Sequence, residues 1–449
     1  MITIERVSPA VMEQEAQNNN IELPIEQTEV WEDFQAGIAG RRPWGALLVR
    51  SNDNLVAVIS LIDMETHGYH YLRAMHGPVW KTKPTEAQEQ AVIKALVSFV
   101  KSHDRHVAFL RIDTWFSNGT FPVLSTVPYN ETVVLDVTGG DDAILARMKG
   151  RGRRDVRKAL RESPAEIADE TEKAAKDFSE YYAVMVETAK RDGFTPAPMT
   201  DYTDMIKALG PNHCHVFAAR IDGKVVAWSL VTLQGKTGVY YYASMLTSVR
   251  RLHVPDKLLY SVACMLGEAG YEKLDLMGIG NDFAPSLKSL NEFKTKFTKE
   301  TTQLAAGRDV PVKKTFYSML RLLQSLRHKM QGKKQGNADK MAIKKAADQK
   351  AHEAAESKKA AKAAAHQERK SEKEAAAKAA PAQSTPAKAT PTKSPEQATK
   401  PAAPVQPASS SSQSADSAAQ PAPQQVAEAD SKPASAQQES SQSDESTNK

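Results

Sequence analysis

One order of elements occurs twice in this chain, and it narrows the possible folds more than any single residue does. In the first half, alternating apolar runs at 46–50, 55–64 and 69–75 precede helical spacing over 84–102 (Val92, Leu96, Phe99, Val100) and a strand over 107–113. In the second half, runs at 215–221, 224–233 and 238–244 precede a helix over 256–269 and a strand over 273–277. Asn52-Asp53-Asn54 and Ile221-Asp222-Gly223-Lys224 carry the residues of tight hairpin turns between the first two runs of each half. Wording recurs weakly as well, with Leu55-Val56-Ala57-Val58 set against Lys224-Val225-Val226-Ala227. Two copies of one α/β unit follow, rather than a solenoid. A strand over 132–137 is expected to close the first half, and helices are expected over 141–161, 172–191 and 202–209.

The rest of the chain is of another kind. From about Gly332 onward Ala, Lys, Gln, Ser, Pro and Glu dominate, without an aromatic residue or a cysteine. Such a segment buries too little apolar surface to offset its ordering entropy. The expected organisation is therefore α/β (α+β): domains at 1–140 and 141–308, each a mixed sheet flanked by helices, and a disordered tail at 332–449. Between body and tail, 309–331 reads as an amphipathic helix, with Phe316, Met319, Leu320, Leu323 and Leu326 on one side. It is expected to dock on the body; its basic side could also lie on an anionic membrane.

Charge and cysteine content limit the setting. The formal net charge is +5, most of it in the tail. Cys214 and Cys264 are the only cysteines, so no disulfide framework is implied. No apolar run approaches the roughly 20 residues that span a bilayer. The N-terminal residues lack the basic and apolar blocks of a secretion signal. A cytoplasmic protein follows, with any membrane contact made from the surface. His67, His70, His76 and the set His213, Cys214, His215 lack the spacing of a closed zinc site, so no metal is expected.

Two stretches carry possible chemistry. Leu274-Asp275-Leu276-Met277-Gly278-Ile279-Gly280 reads as a buried strand breaking at glycines, and Phe293-Lys294-Thr295-Lys296-Phe297 follows it. Strand ends of this kind are where α/β proteins place their sites. An aromatic–lysine pair there could hold a planar group and neutralise an oxyanion, or could simply be core and solvated surface. The second stretch runs from Lys149 to Lys158, where Arg151, Arg153, Arg154 and Lys158 are too concentrated for an average solvated face and suit phosphates.

The meander followed by helix and strand resembles the GNAT acyltransferase fold. Acetyl-CoA enzymes of that kind cradle a pyrophosphate on bare amides of a glycine-bearing loop. Here the loop before the second-half helix reads Ser248-Val249-Arg250-Arg251-Leu252-His253-Val254-Pro255, and a proline has no amide hydrogen. Coenzyme A is disfavoured on that ground, and no cofactor is expected.

Two GNAT-like halves without such a loop resemble the FemABX family, peptidoglycan bridge aminoacyltransferases that use aminoacyl-tRNA. The residues that carry the likeness include Gln27-Thr28 with Trp31, Arg111-Ile112-Asp113, Glu187 to Phe194, Tyr240-Tyr241-Tyr242-Ala243-Ser244, Asp275 to Ile279 and Phe293 to Phe297. No long heptad hairpin interrupts the second half, which resembles the armless, FemX-like subtype. The resemblance implies transfer of an amino acid from tRNA to the side-chain amine of the third stem-peptide residue of a peptidoglycan precursor. The acceptor would be UDP-muramyl-pentapeptide or lipid II, and a monomer is expected. It also implies roles. Lys294 would meet the oxyanion or a phosphate at the tRNA end, Phe293 would pack the terminal adenosine, and Asp113 would face the incoming amine. Tyr242, Arg191 and Arg41 would hold the acceptor. Alternation puts Tyr240 and Tyr242 on one strand face and Tyr241 on the other. Arg151, Arg153, Arg154 and Lys158 would meet tRNA. An N-acyltransferase with another donor, or a non-catalytic scaffold of wall synthesis, stays open.

Overall fold

Apolar alternation does produce strands at the expected places, and the computed structural model describes them within residues 1–124 and 128–326. The first half supplies β1 (Ile2–Val7), β2 (Arg41–Ser51), β3 (Asn54–Thr66), β4 (Tyr69–Arg73), β5 (Val79–Trp80), β6 (Val107–Thr114), β7 (Phe121–Pro122) and β8 (Glu131–Asp136). From the second half come β9 (Glu166–Asp169), β10 (Cys214–Ile221), β11 (Lys224–Gln234), β12 (Thr237–Met245), β13 (Lys273–Gly278), β14 (Thr302–Gln303) and β15 (Ala306–Pro311). Both predicted hairpin turns form with left-handed residues, φ 48° and 66° at Asn52 and Asp53, and 50° and 74° at Asp222 and Gly223. That geometry matches the twist of the flanking strands.

The strands make two mixed sheets. One runs β1-β2-β3-β4-β6-β15-β7, with β5 against β3; the other runs β14-β8-β13-β12-β11-β10-β9. Among the described residues only β4 with β6 and β12 with β13 pair in parallel, which is where each half inserts a long helix between strands. The pairing of β12 with β13 covers only Thr237–Lys273 to Val239–Asp275, so the two strands part beyond it.

The helices, in chain order, are α1 (Pro9–Asn18), α2 (Glu29–Ala36), α3 (Glu86–His103), α4 (Asp141–Arg147), α5 (Gly150–Glu162), α6 (Thr171–Lys176), α7 (Ser179–Asp192), α8 (Met199–His213), α9 (Val254–Glu268) and α10 (Lys288–Lys294). α3 opens with a capping box, Thr85 and Gln88 each satisfying the other's amide, and buries Val92, Ile93, Leu96 and Val100 on the first sheet. α9 buries Leu258, Leu259, Val262, Ala263 and Leu266 on the second. A third core joins the halves. Trp31 and Phe34 of α2 pack with residues of α7 and α8, and the Trp31 ring lies 5.9 Å from that of Tyr241.

Three expectations about elements change. The strand over 132–137 does not close the first half: β8 pairs antiparallel with β13 in the second sheet. In return β15 pairs with β6, so each half completes the other's sheet. The Arg111 guanidinium fixes this exchange through a buried bidentate pair with Asp309 (2.8 and 3.2 Å), whose carboxylate also accepts from the Tyr317 hydroxyl. The helix expected over 141–161 breaks between α4 and α5, and that over 172–191 between α6 and α7. The amphipathic helix begins after the strand at 306–311. Phe316, Tyr317 and Leu320 join a cluster with Tyr69 and Phe109, and Met319 on the same helix is exposed. The tail at 332–449 lies outside the described residues.

Candidate functional site

A cavity of about 160 Å³ opens where ends of both sheets meet, lined by Glu26, Arg41, Arg73, His76, Asp113, Tyr129, Asp201, Tyr241, Tyr242, Met277 and Gly278 among others. Asp113 stands at the end of β6, whose preceding residues are buried. Its backbone amide donates to the Gly77 carbonyl at 2.8 Å, which brings the loop after β4 alongside. Gln27 ties that loop down from below. Its amide donates to the Met75 carbonyl (2.8 Å) and accepts from the Ser60 amide (2.7 Å). A side chain at Gly77 would collide with Gln27 at 2.7 Å, so only glycine lets the loop pass this close.

This clamp brings Glu26, His76 and Asp113 together. The His76 ring lies between the two carboxylates, Nδ1 at 3.6 Å from Asp113 Oδ2 and Nε2 at 4.0 Å from Glu26 Oε1. Burial raises the Asp113 carboxyl to about 6, against the opposing pull of His76 and Arg73. Glu26 is raised too, first by burial. Burial works against the charged His76 ring, but Glu26, Asp113 and Asp275 together hold its pKa above the ordinary value.

The strand end at 273–278 forms another wall. The glycines there serve close approach rather than flexibility. The Tyr129 ring lies flat against Gly278, and a Cβ on Gly280 would fall 2.1 Å from the Lys288 amide. The left-handed residue is Met277, at φ 61°. Asp275 accepts from Thr132 Oγ1 (2.5 Å) and from the Met277 amide (2.7 Å). Lys294 is 1% exposed and lines neither this cavity nor the second one below. Its ammonium donates to the carbonyls of Met277 (3.3 Å) and Gly278 (2.9 Å). Burial lowers it to about 7, with Asp275 opposing. The expected direct contact with an oxyanion therefore gives way to a contact with the backbone of the cavity wall.

A bulge resets the tyrosines. On β12, Tyr242 pairs with Leu230 and Tyr240 with Val231, which leaves Tyr241 as an extra residue. Tyr241 and Tyr242 thus both reach the first cavity while Tyr240 joins the opposite core, contrary to simple alternation. Arg41 lines the same cavity and donates to Gln35 Oε1 at 3.0 Å. Arg191 does not reach it. Its guanidinium is bound to its neighbour Asp192 (both contacts 2.8 Å) and to the Met245 carbonyl (2.9 Å).

A second cavity of about 70 Å³ lies on the other side of β12, lined by Arg151, Tyr240, Ser244, Arg250, Asp256, Glu292, Phe293 and Lys296 among others. Phe293 is here, not beside the first cavity, and packs edge-on against Phe297 at 5.2 Å. Lys296 is paired with Asp155 (3.4 Å) and with Asp256. Asp256 is the third residue of α9, so the helix N-terminus facing this cavity already carries a carboxylate, next to Pro255. Ser244 Oγ is buried and has no partner among the described residues.

The basic stretch divides. Arg153 caps α4 by donating to the Met148 carbonyl (2.6 Å), and Arg151 pairs with Glu292 (2.6 Å). Arg154, Arg157, Lys158 and Arg161 are exposed on α5, with Lys158 near Glu162 (3.8 Å). The buried Gly152 lets this helix approach the 296 carbonyl, which a Cβ would meet at 2.2 Å. Among the described residues no cluster of His, Cys, Asp and Glu could hold a metal, and no helix is long and apolar enough to cross a membrane.

The alternation and motif readings missed Glu26, Arg73, His76, Tyr129 and Asp201. The signals were faint: Glu26 sits directly before the Gln27-Thr28 motif, and His76 within Met75-His76-Gly77-Pro78.

Residues 148–294 match the family model described as an acetyltransferase (GNAT) domain. No curated protein matches the chain. Among solved structures, one titled as FemX is 14% identical, with a TM-score of 0.55, 71% of this chain and 99% of that chain covered. A tandem GNAT protein of the clavulanic acid biosynthesis pathway is 9% identical (TM-score 0.42, 69% and 97% covered). L-PGS from Bacillus licheniformis is 13% identical (TM-score 0.41, 72% and 98% covered). The chain is thus a mixed α/β protein of two helix-flanked sheets, within which residues 148–294 match the acetyltransferase (GNAT) domain model.

Proposed function

We propose that this protein transfers an amino acid from aminoacyl-tRNA to the side-chain amine of a peptidoglycan stem peptide. The observation that carries the reading is the acid set of the first cavity, where Glu26, His76 and Asp113 face a space large enough for an alkylamine. An aminoacyl ester is already activated, so the remaining tasks are to align the amine and manage its protons. Asp113, titrating near 6, is ionised at neutral pH and faces the ammonium. Arg41 and Tyr242 line the same cavity and suit the polar part of a precursor, either UDP-muramyl-pentapeptide or lipid II. Lys294 acts through the wall it holds at Met277 and Gly278.

The donor end belongs to the second cavity, with Phe293 against the terminal base and Arg151, Arg154 and Lys158 toward phosphates. The exposed cations of α5 extend that track, and Arg153, occupied at Met148, drops out of it. No cofactor is needed for this chemistry. The exposed apolar residues of the last helix, flanked by Lys314 and Arg321, suit contact with a membrane that holds a lipid-linked acceptor.

Incubation with a charged tRNA pool and both precursors, with products read by mass, tests the reading. Absence of any aminoacylated precursor overturns it. The match to an acetyltransferase domain favours a second reading, N-acylation from acyl-CoA. Asp256 and Pro255 at the α9 N-terminus argue against it, because a pyrophosphate there would meet a carboxylate and lack an amide.

A further inference from the structure

We propose that His76 is the base that takes the proton of the acceptor amine, and that Glu26 is the positioning residue that orients its ring. The inference rests on the aminoacyl-transfer reading above and adds the proton's route to it.

Two other paired histidines of the body, His215 and His70, show what a structural ring looks like. His215 has both nitrogens engaged, Nδ1 at 2.5 Å from Asp169 and Nε2 at 2.8 Å from the Pro211 carbonyl. His70 Nδ1 lies 3.0 Å from Asp63. The His76 ring is different: its nearest carboxylates are 3.6 and 4.0 Å away, and 30% of its side chain is open. Both neighbouring carboxylates stand beyond close hydrogen-bond distance, so either nitrogen can turn to a ligand in the cavity. The backbone at His76 is left-handed (φ 53°), a conformation uncommon for a residue with a Cβ and held here by the Gln27 clamp.

The groups facing the ring from the surrounding elements are Glu26, Asp113 of β6, Asp275 of β13, Arg73 of β4 and the Tyr129 ring, 6.3 Å away. Three carboxylates against one arginine raise the basicity of the imidazole, as a base that must strip an ammonium requires.

The acceptor enters as an ammonium, and His76 takes one of its protons. The freed lone pair forms the C–N bond to the ester carbonyl. The C–O bond to the ribose then breaks, and the departing oxygen takes the second proton from the new nitrogen. The imidazolium returns its proton to solvent, so one amide, one free ribose hydroxyl and one proton result.

The test compares wild type, His76→Asn and Glu26→Gln in single-turnover transfer across pH. His76→Asn should lower the rate about 10²–10⁴-fold at saturating acceptor and displace the acid limb, leaving only the carboxylates' share of it. Glu26→Gln, the milder change, should move that limb to lower pH, since removing a carboxylate lowers the histidine pKa. A His76→Asn rate within about threefold of wild type overturns the proposal. So does a loss with the acid limb unmoved, or a Glu26→Gln profile that superimposes on wild type.

Should wild type itself transfer from no charged tRNA, the donor reading falls and His76 is judged separately. The ¹⁵N imidazole titration of His76 is then recorded with and without Nα-acetyl-lysine amide. A bound ammonium should lower its midpoint; an unchanged midpoint overturns the role.

Discussion

In the first cavity the His76 ring stands 3.6 Å from Asp113 and 4.0 Å from Glu26, whereas at the second Lys296 is paired with Asp256 and with Asp155 behind it, and Arg151 lies against Glu292. Both sets are made of acids and bases, and both line space. The difference is in how far the charges are already matched. Ion pairs in contact satisfy each other and give little reason for a proton to move. Buried groups held apart have their protonation set by desolvation, which is how Asp113 comes to titrate near 6. The first arrangement suits proton transfer, and the second suits holding an anion that competes with Glu292 for arginine.

Four measurements test that contrast. The largest effect is expected at Asp113→Asn, which should cost about 10²-fold or more in single-turnover transfer. Wild-type transfer should also fall as the pH drops through 6, with the limb belonging to the coupled set rather than to one residue. An Asp113→Asn rate equal to wild type would move the reaction centre elsewhere.

Next comes Lys294. Its folded pKa lies near 7, below the unfolded value of 10.5, so folding disfavours its proton. Between those values the unfolded state binds more protons, and stability therefore rises with pH. At pH 7 and below the cost is in place, and it is relieved as the pH climbs. From pH 7 to 9 this contributes about 2 kcal/mol, which Lys294→Met should remove. Urea unfolding of both proteins at the two pH values checks it; identical pH dependence would refute a buried lysine whose proton folding disfavours.

A third test reaches the second cavity. Phe293→Ala should raise the KM for aminoacyl-tRNA about tenfold and leave the acceptor KM unchanged, because it touches only the donor side. Equal effects on both substrates would erase the division between the cavities. The smallest expected response is none. Millimolar acetyl-CoA should leave the melting temperature unchanged within about 1 °C, since ligand binding would raise it. A clear rise would favour the acyl-CoA reading.

What the residues disclosed in advance follows from the range of each signal. Hairpins, helices and strand ends were legible because periodicity and turn chemistry are local. Asp113 and Tyr242 were singled out through motif likeness and Arg41 as a candidate basic contact, and the first cavity brings these three together. The partner of a strand is not a local property, and so the exchange of β8 and β15 was hidden. The face of Tyr241 was misread because one inserted residue reverses all later alternation. Glu26 and His76 lie 50 positions apart in the sequence and meet only through the Gln27 clamp. Arg191 stood next to Asp192 in the sequence, which already offered it a nearer partner than any ligand.

The exchange of strands also bears on how the protein is made. During synthesis, a chain grown to the end of β8 has β6 without its β15 neighbour and the Arg111 charge without Asp309. Neither can be completed until residue 309 has left the ribosome, well after the first half has emerged. The nascent first half therefore carries an open strand edge until β15 emerges, a surface on which chaperones can act. For the same reason, a gene fragment ending near residue 140 should yield an aggregating polypeptide rather than an independent domain, unless a peptide spanning β15 is supplied in trans.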